Sequence, residues 1–208
     1  MNDITSSRRP VCAACLRAQS ACICHWAVPL SSRVALLVLQ HPLEVRNAKN
    51  SARLLHLCLP GSRLEVGETF DAGTLDALLA ADGRQPLLLY PETPGDASLG
   101  VAPPPVVPLP DAGRLRLVVL DATWRKSRKM LYLNPALQRL PRLALRDIPA
   151  SAYRIRKAHA PHQLSTLEAA AYALAQLENN PGHYQPLLSA FDGFVQQQAA
   201  RTPHLNPD

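Results

Sequence analysis

No apolar run in this 208-residue chain approaches the roughly 18–20 residues that cross a bilayer, so no membrane segment or membrane partner is expected. The first ten residues, MNDITSSRRP, contain no apolar stretch of the kind a secretory signal needs. The expectation is a cytoplasmic protein. Glycine signatures are also missing. No Gly-x-Gly-x-x-Gly follows a strand pattern, no Gly-Lys-Ser/Thr phosphate loop occurs, and no Gly-x-Ser-x-Gly elbow is present. Ordinary dehydrogenases and nucleotide hydrolases are therefore disfavoured. Nor is the chain poor enough in hydrophobic residues for intrinsic disorder: 47% are hydrophobic and only 18% charged, which suits a buried core.

What is present is unevenly spread. The net charge of +6 resolves into +6 over residues 1–64, −7 over 65–111, +10 over 112–159 and −3 over 160–208. The +10 segment reads either as solvated faces of ordinary elements or as a strip for a polyanion, whose phosphates clustered Arg and Lys neutralise. Seven of the twenty prolines fall in residues 91–113, which show no periodicity and read as a long loop or flap. Four of the five cysteines lie within thirteen residues, as Cys12-Ala-Ala-Cys15 and Cys22-Ile-Cys24. That spacing lets four thiolates reach one tetrahedral ion, and a structural Zn2+ fits better than two disulfides in a reducing compartment. His25 reads as a neighbour of this knuckle, and Cys58, in an apolar stretch, as a buried small residue.

Hydrophobic patterning predicts strands at 33–39, 63–67, 86–90, 114–120 and 142–146, the last half-exposed. Helices are expected at 47–59, 74–81, from about 123 onward, at 165–179 and at 184–200. Strands alternating with helices indicate an α/β fold with a mainly parallel sheet. The expected organisation is a four-cysteine knuckle over residues 1–30 and a larger domain over 31–208.

Two constellations carry chemistry. Asp121-Ala122-Thr123-Trp124 directly follows the strongest strand, and in parallel sheets ligands bind at the carboxyl ends of strands. Asp121 there reads as a general base, or as a plain cap of the next helix. That helix would set Trp124, Ser127 and Leu131 on one side and four cations on the rest. The second constellation is Tyr153-Arg154-Ile155-Arg156-Lys157 ahead of Leu164-Ser165-Thr166-Leu167-Glu168. A helix start there can bind an anion, although Ser165 and Glu168 also spell an ordinary capping box.

Together these segments resemble the DTW-domain family. The naming motif stands here as Asp121-Ala-Thr-Trp124, followed by Arg125-Lys-Ser-Arg-Lys129-Met130. The family's cysteine cluster is matched by Cys12, Cys15, Cys22 and Cys24, and its His-Pro-x-Glu segment by His41-Pro42-Leu43-Glu44. Its last two runs are matched by Tyr153–Lys157 and Leu164–Ala169. The resemblance implies a tRNA-uridine aminocarboxypropyltransferase with a SPOUT-like α/β fold and a knotted cofactor site. Such an enzyme transfers the 3-amino-3-carboxypropyl group of S-adenosylmethionine to N3 of a uridine and releases methylthioadenosine.

On that reading Asp121 takes the N3 proton. Tyr90 and Pro91 wall the cofactor and Trp124 either stacks on the target base or walls the cofactor, while Thr123 and the turn Leu164, Ser165, Thr166 and Leu167 hold its ribose or amino-acid end. Arg125, Lys126, Arg128, Lys129, Arg154, Arg156 and Lys157 seat tRNA phosphates. Such a protein would act as a monomer or homodimer. Its rivals are a SPOUT-like RNA methyltransferase and a non-catalytic zinc-knuckle RNA-binding protein.

Overall fold

The computed structural model describes residues 10–91, 108–146, 148 and 164–201. Five parallel strands form one sheet: β1 (Ala35–Gln40), β2 (Arg63–Val66), β3 (Gln85–Leu89), β4 (Leu115–Asp121) and β5 (Arg142–Leu143), in the order β2-β1-β4-β3-β5. β4 lies at the centre and all seven of its residues are buried. Its apolar run has no polar face because both sides of a parallel sheet are covered. The one cation in it, Arg116, is 1% exposed and sends its guanidinium out to Ala81 O at 2.7 Å and Asp82 Oδ2 at 2.8 Å.

Side chains alternate across the sheet, so each strand feeds two cores. Val34, Leu36, Val38, Leu115, Leu117 and Val119 face one side, against α1 (Ala52–Cys58), α5 (Thr166–Glu178) and α6 (Gln185–Ala200). Leu37, Leu39, Leu88, Val118 and Leu120 face the other, against α2 (Ala72–Ala80), α3 (Trp124–Leu133) and α4 (Pro135–Gln138). Burying each such aliphatic side chain stabilises the fold by about 1.5–3 kcal/mol. Cys58 is fully buried in the first core.

The amino-terminal segment shares that first core. Cys15 and Ile23 belong to it, and Trp26 packs on α6. Trp26 Nε1 donates to Gln197 Oε1 at 2.6 Å, and Gln197 Nε2 donates to Cys22 O at 3.0 Å. A side chain at Gly193 would overlap the Trp26 indole, so α6 needs glycine where the ring crosses it.

The elements depart from expectation in three places. The helix expected from residue 47 begins at Ala52. Asn47 Oδ1 accepts from Lys49 N at 3.0 Å and Asn50 Oδ1 from Ala52 N at 3.0 Å, bonds that compete with helix upstream. The strand expected at 142–146 is only two residues long, because it pairs solely with Leu88 and Leu89, and Arg142 is buried rather than half-exposed. In α3, Ser127, Met130 and Leu131 face inward, whereas Trp124 is 50% exposed. Most of the proline-rich loop, residues 92–107, lies outside the described residues, as do Arg154, Arg156 and Lys157.

Candidate functional site

β1 continues to its neighbour β2 through α1, while β4 continues past β3 to β5 through α3 and α4. The two connections leave in opposite directions and on opposite faces. The carboxyl ends of β1 and β4 therefore flank a topological switch point, where open parallel sheets hold ligands. Gln40 and Asp121 are the register partners at those ends.

Asp121 continues the alternation of Leu117 and Val119, so its carboxylate points to the α1 and α5 face. It is 3% exposed and accepts three hydrogen bonds from three distant segments. Oδ2 accepts from Gln40 Nε2 at 2.8 Å and from Asn50 Nδ2 at 2.6 Å, and Oδ1 accepts from Thr166 Oγ1 at 2.7 Å. Burial pushes its pKa above the ordinary carboxylate value. The donors from Thr166, Gln40 and Asn50 oppose that rise without cancelling it, and the charge of Glu44 adds to it.

The loop after β1 builds the surroundings. His41 Nδ1 accepts from Leu43 N at 3.1 Å and caps a turn that buries Glu44. Glu44 receives Lys126 Nζ at 3.0 Å and Asn47 Nδ2 at 2.9 Å. Glu68 bridges His41 Nε2 at 3.0 Å and Lys129 Nζ at 2.9 Å, and those bonds, that from Lys129 foremost, hold its pKa below the usual range. Lys126 and Lys129 of α3 are thus matched to carboxylates beside the site.

α5 opens with a complete capping box. Glu168 N donates to Ser165 Oγ at 3.1 Å, and Ser165 N donates to Glu168 Oε2 at 2.8 Å. Leu167 N donates to Ser51 Oγ at 3.2 Å, so two of the first N–H groups serve the fold, while the Thr166 hydroxyl reaches Asp121. Thr123 occupies the N-cap position of α3 without a side-chain cap bond. The Tyr90 ring, buried at the end of β3, stacks on Trp124 with centroids 5.3 Å apart and planes at 15°. The Arg142 guanidinium lies 5.5 Å from the Tyr90 ring centre. Pro91 follows Tyr90 at the surface and Leu164 precedes the capping box.

The structure thus brings Asp121, Thr166, Ser165 and Leu167 together, and Tyr90 with Trp124. Sequence reasoning missed Gln40, Asn50 and Ser51. A polar residue ending an otherwise apolar strand was the available signal for Gln40, and a polar cluster just before a helix was the signal for Asn50 and Ser51. Cavities of about 610 and 600 Å3 lie elsewhere, around Leu30 and Arg84 and around Trp26 and Pro186, and include none of these residues.

The four sulfurs of Cys12, Cys15, Cys22 and Cys24 lie within 4.8 Å of one another and can hold a metal ion. The pairs Cys12–Cys24 and Cys15–Cys22 are 3.6 and 3.8 Å apart. A tetrahedral site with 2.3 Å bonds needs sulfurs about 3.8 Å apart, so the cluster has the right size. Backbone N–H groups of Cys15 and Ala14 lower the Cys12 thiol to about 6, whereas burial raises Cys24 to about 12. The knuckle also touches the site's framework. Arg17 donates to Ala48 O at 2.6 Å and to Asn50 O at 2.9 Å.

The fold and site define an open parallel α/β protein with a buried carboxylate at its switch point and a four-cysteine cluster alongside. The chain matches the DTW domain over residues 9–199 and belongs to that family. It is 33% identical over 183 residues to the Mus musculus protein named tRNA-uridine aminocarboxypropyltransferase 2, covering 84% of this chain and 59% of that protein. The Macaca fascicularis protein of the same name is 32% identical over 184 residues, with the same shares. Its Drosophila melanogaster namesake is 33% identical over 194 residues, covering 88% of this chain and 72% of that protein. The chain therefore spans 59% of the length of the two mammalian relatives. No solved structure matches it. Among the described residues, no helix is long and apolar enough to cross a membrane.

Proposed function

We propose that the chain is a tRNA-uridine aminocarboxypropyltransferase acting on N3 of a uridine. The observation that carries this reading is Asp121: a buried carboxylate at the switch point, with its pKa raised, in a relative of proteins bearing that name. Uracil N3–H is a weak acid, and a carboxylate of raised pKa is a stronger base toward it than one at the surface. Oδ2 already accepts two bonds and Oδ1 only one, which leaves Oδ1 a lone pair for the N3 proton. Asp121 takes that proton, so that N3 bonds to carbon as the C–S bond breaks and methylthioadenosine leaves.

S-adenosylmethionine, when bound, supplies the electrophilic carbon on a sulfonium. The residues present suit such a cation: the stacked Tyr90–Trp124 pair offers it an aromatic wall. Tyr90 and Pro91 wall the cofactor, Trp124 offers its ring to the cofactor or to the target base, and Thr123, Leu164, Ser165, Thr166 and Leu167 hold the cofactor's polar ends. Which of the sulfonium's carbons reacts is decided by which is held in line with N3, so positioning by these residues is the main lever.

The return of α5 to the end of β4, after an excursion to the sheet edge at β5, supports a SPOUT-like cofactor site. Residues 1–30 form the zinc-binding unit and 31–208 the catalytic one, with Zn2+ closing the four-cysteine site for structure rather than chemistry. The cations of α3 and those at 154–157 supply positive charge to tRNA. The co-product tests the reading. Incubation with tRNA and S-adenosylmethionine is expected to release methylthioadenosine. Release of S-adenosylhomocysteine would make the chain a methyltransferase, and release of neither would remove the activity.

A further inference from the structure

We propose that the outward face of α3 carries a single-stranded tRNA segment next to the target uridine, with Tyr132 as a second stacking platform beyond Trp124. The inference rests on the tRNA reading above and says which surface the RNA follows. α3 carries four cations, Arg125, Lys126, Arg128 and Lys129. Lys126 is drawn to Glu44 and Lys129 to Glu68, so their charges are matched by carboxylates. Arg125 and Arg128 lie on the exposed arc of the helix. Trp124 and Tyr132, 50% and 61% exposed, are the only aromatics among the exposed large hydrophobic residues described.

Spaced eight apart, the two rings stand about 12 Å apart along the axis and about 80° around it, with Arg128 midway. Aromatic faces interleaved with guanidinium groups are what an unstacked strand needs: rings for bases, cations for phosphates. A duplex keeps its bases stacked and offers nothing to the rings. Trp124 opens the helix within the Asp121 motif and stacks on Tyr90, so the face is continuous with the site and leads away from it.

The test measures binding of fluorescent tRNA, by anisotropy across a salt series, to the full chain without cofactor. Tyr132→Ala is expected to weaken binding roughly five- to a hundredfold, as loss of one stacked base does, and Tyr132→Phe to bind within about twofold of wild type. Paired Arg125→Gln and Arg128→Gln should flatten the salt slope by about 1.4, two single-strand phosphate contacts. In turnover, Tyr132→Ala should raise KM for tRNA and leave kcat at saturation unchanged. Binding by Tyr132→Ala within about twofold of wild type overturns the proposal. So does an equal loss toward a fully duplex RNA, and so does concentration-dependent self-association that Tyr132→Ala abolishes, which would make the face a protein contact. If wild type transfers the group while Tyr132→Ala is unaffected, this surface fails and the activity stands. If wild type binds tRNA through Tyr132 but yields no methylthioadenosine, the activity fails and the surface stands.

Discussion

Replacing Asp121 by asparagine separates its chemical duty from its structural one. The carboxylate's two oxygens have different partners: two amides donate to Oδ2 and one hydroxyl to Oδ1. An asparagine in the same pose places its carbonyl toward Gln40 and Asn50 and its NH2 toward Thr166. The Thr166 hydroxyl can turn round and accept, so no buried group is orphaned. The fold should therefore survive.

The charge matters as well. Burial raises the Asp121 pKa above its usual 3.8, so the folded state holds this proton more tightly than the unfolded chain does. Stability from this group is then fully present below the unfolded value and is lost as pH rises through the folded one. At neutral pH the wild type carries a desolvation cost that Asp121→Asn lacks. The variant should melt at or above the wild-type temperature at about pH 7, and the gap should close as pH falls toward the ordinary carboxylate range. Asp121→Leu should behave oppositely, because it strands three donors at about 1–3 kcal/mol each. Transfer by Asp121→Asn should fall by about 10²–10⁴-fold, the usual contribution of a general base, with S-adenosylmethionine binding by calorimetry largely kept. Near-normal turnover would remove Asp121 as the base. Melting as low as Asp121→Leu would refute the described hydrogen-bond pattern.

Metal analysis of purified protein should find about one zinc per chain, and a folded, metal-free protein would contradict the knuckle. Gly193→Ala drives a methyl into the Trp26 ring and should cost about 1–3 kcal/mol of stability, seen as lower Tm and altered near-ultraviolet dichroism. An unchanged Tm would mean that the knuckle does not pack on α6 as described. Arg17→Ala frees the turn that aims Asn50 at Asp121. Losing a donor to the charged form raises the Asp121 pKa further, so the acid limb of the pH–kcat profile should move to higher pH. An unmoved limb at reduced overall rate would make Arg17 merely structural.

Much of the fold was legible because parallel strands are short apolar runs, and β4 is the clearest of them. Asp121 was legible as the polar residue ending that run. Its donors were not, since Gln40, Asn50 and Thr166 lie 81, 71 and 45 residues away and meet it only through strand order and helix return. Strand order is a long-range property that no local pattern carries. The start of α1 was misplaced for a local reason: the side chains of Asn47 and Asn50 accept from the backbone N–H groups of Lys49 and Ala52, which a count of apolar spacings does not register. The +10 segment was visible as a sum, but a sum has no direction. Arg116 and Arg142 are buried in strands, Lys126 and Lys129 turn to Glu44 and Glu68, and the outward share of that charge emerges only in three dimensions.

The most direct test of the central claim is nucleoside mass analysis of tRNA incubated with S-adenosylmethionine and either wild type or Asp121→Asn. A uridine heavier by one aminocarboxypropyl group with the wild type, formed about 10²–10⁴-fold more slowly by the folded variant, is the predicted result. A methylated nucleoside, unmodified tRNA from the wild type, or the same adduct formed equally fast by both proteins would contradict it.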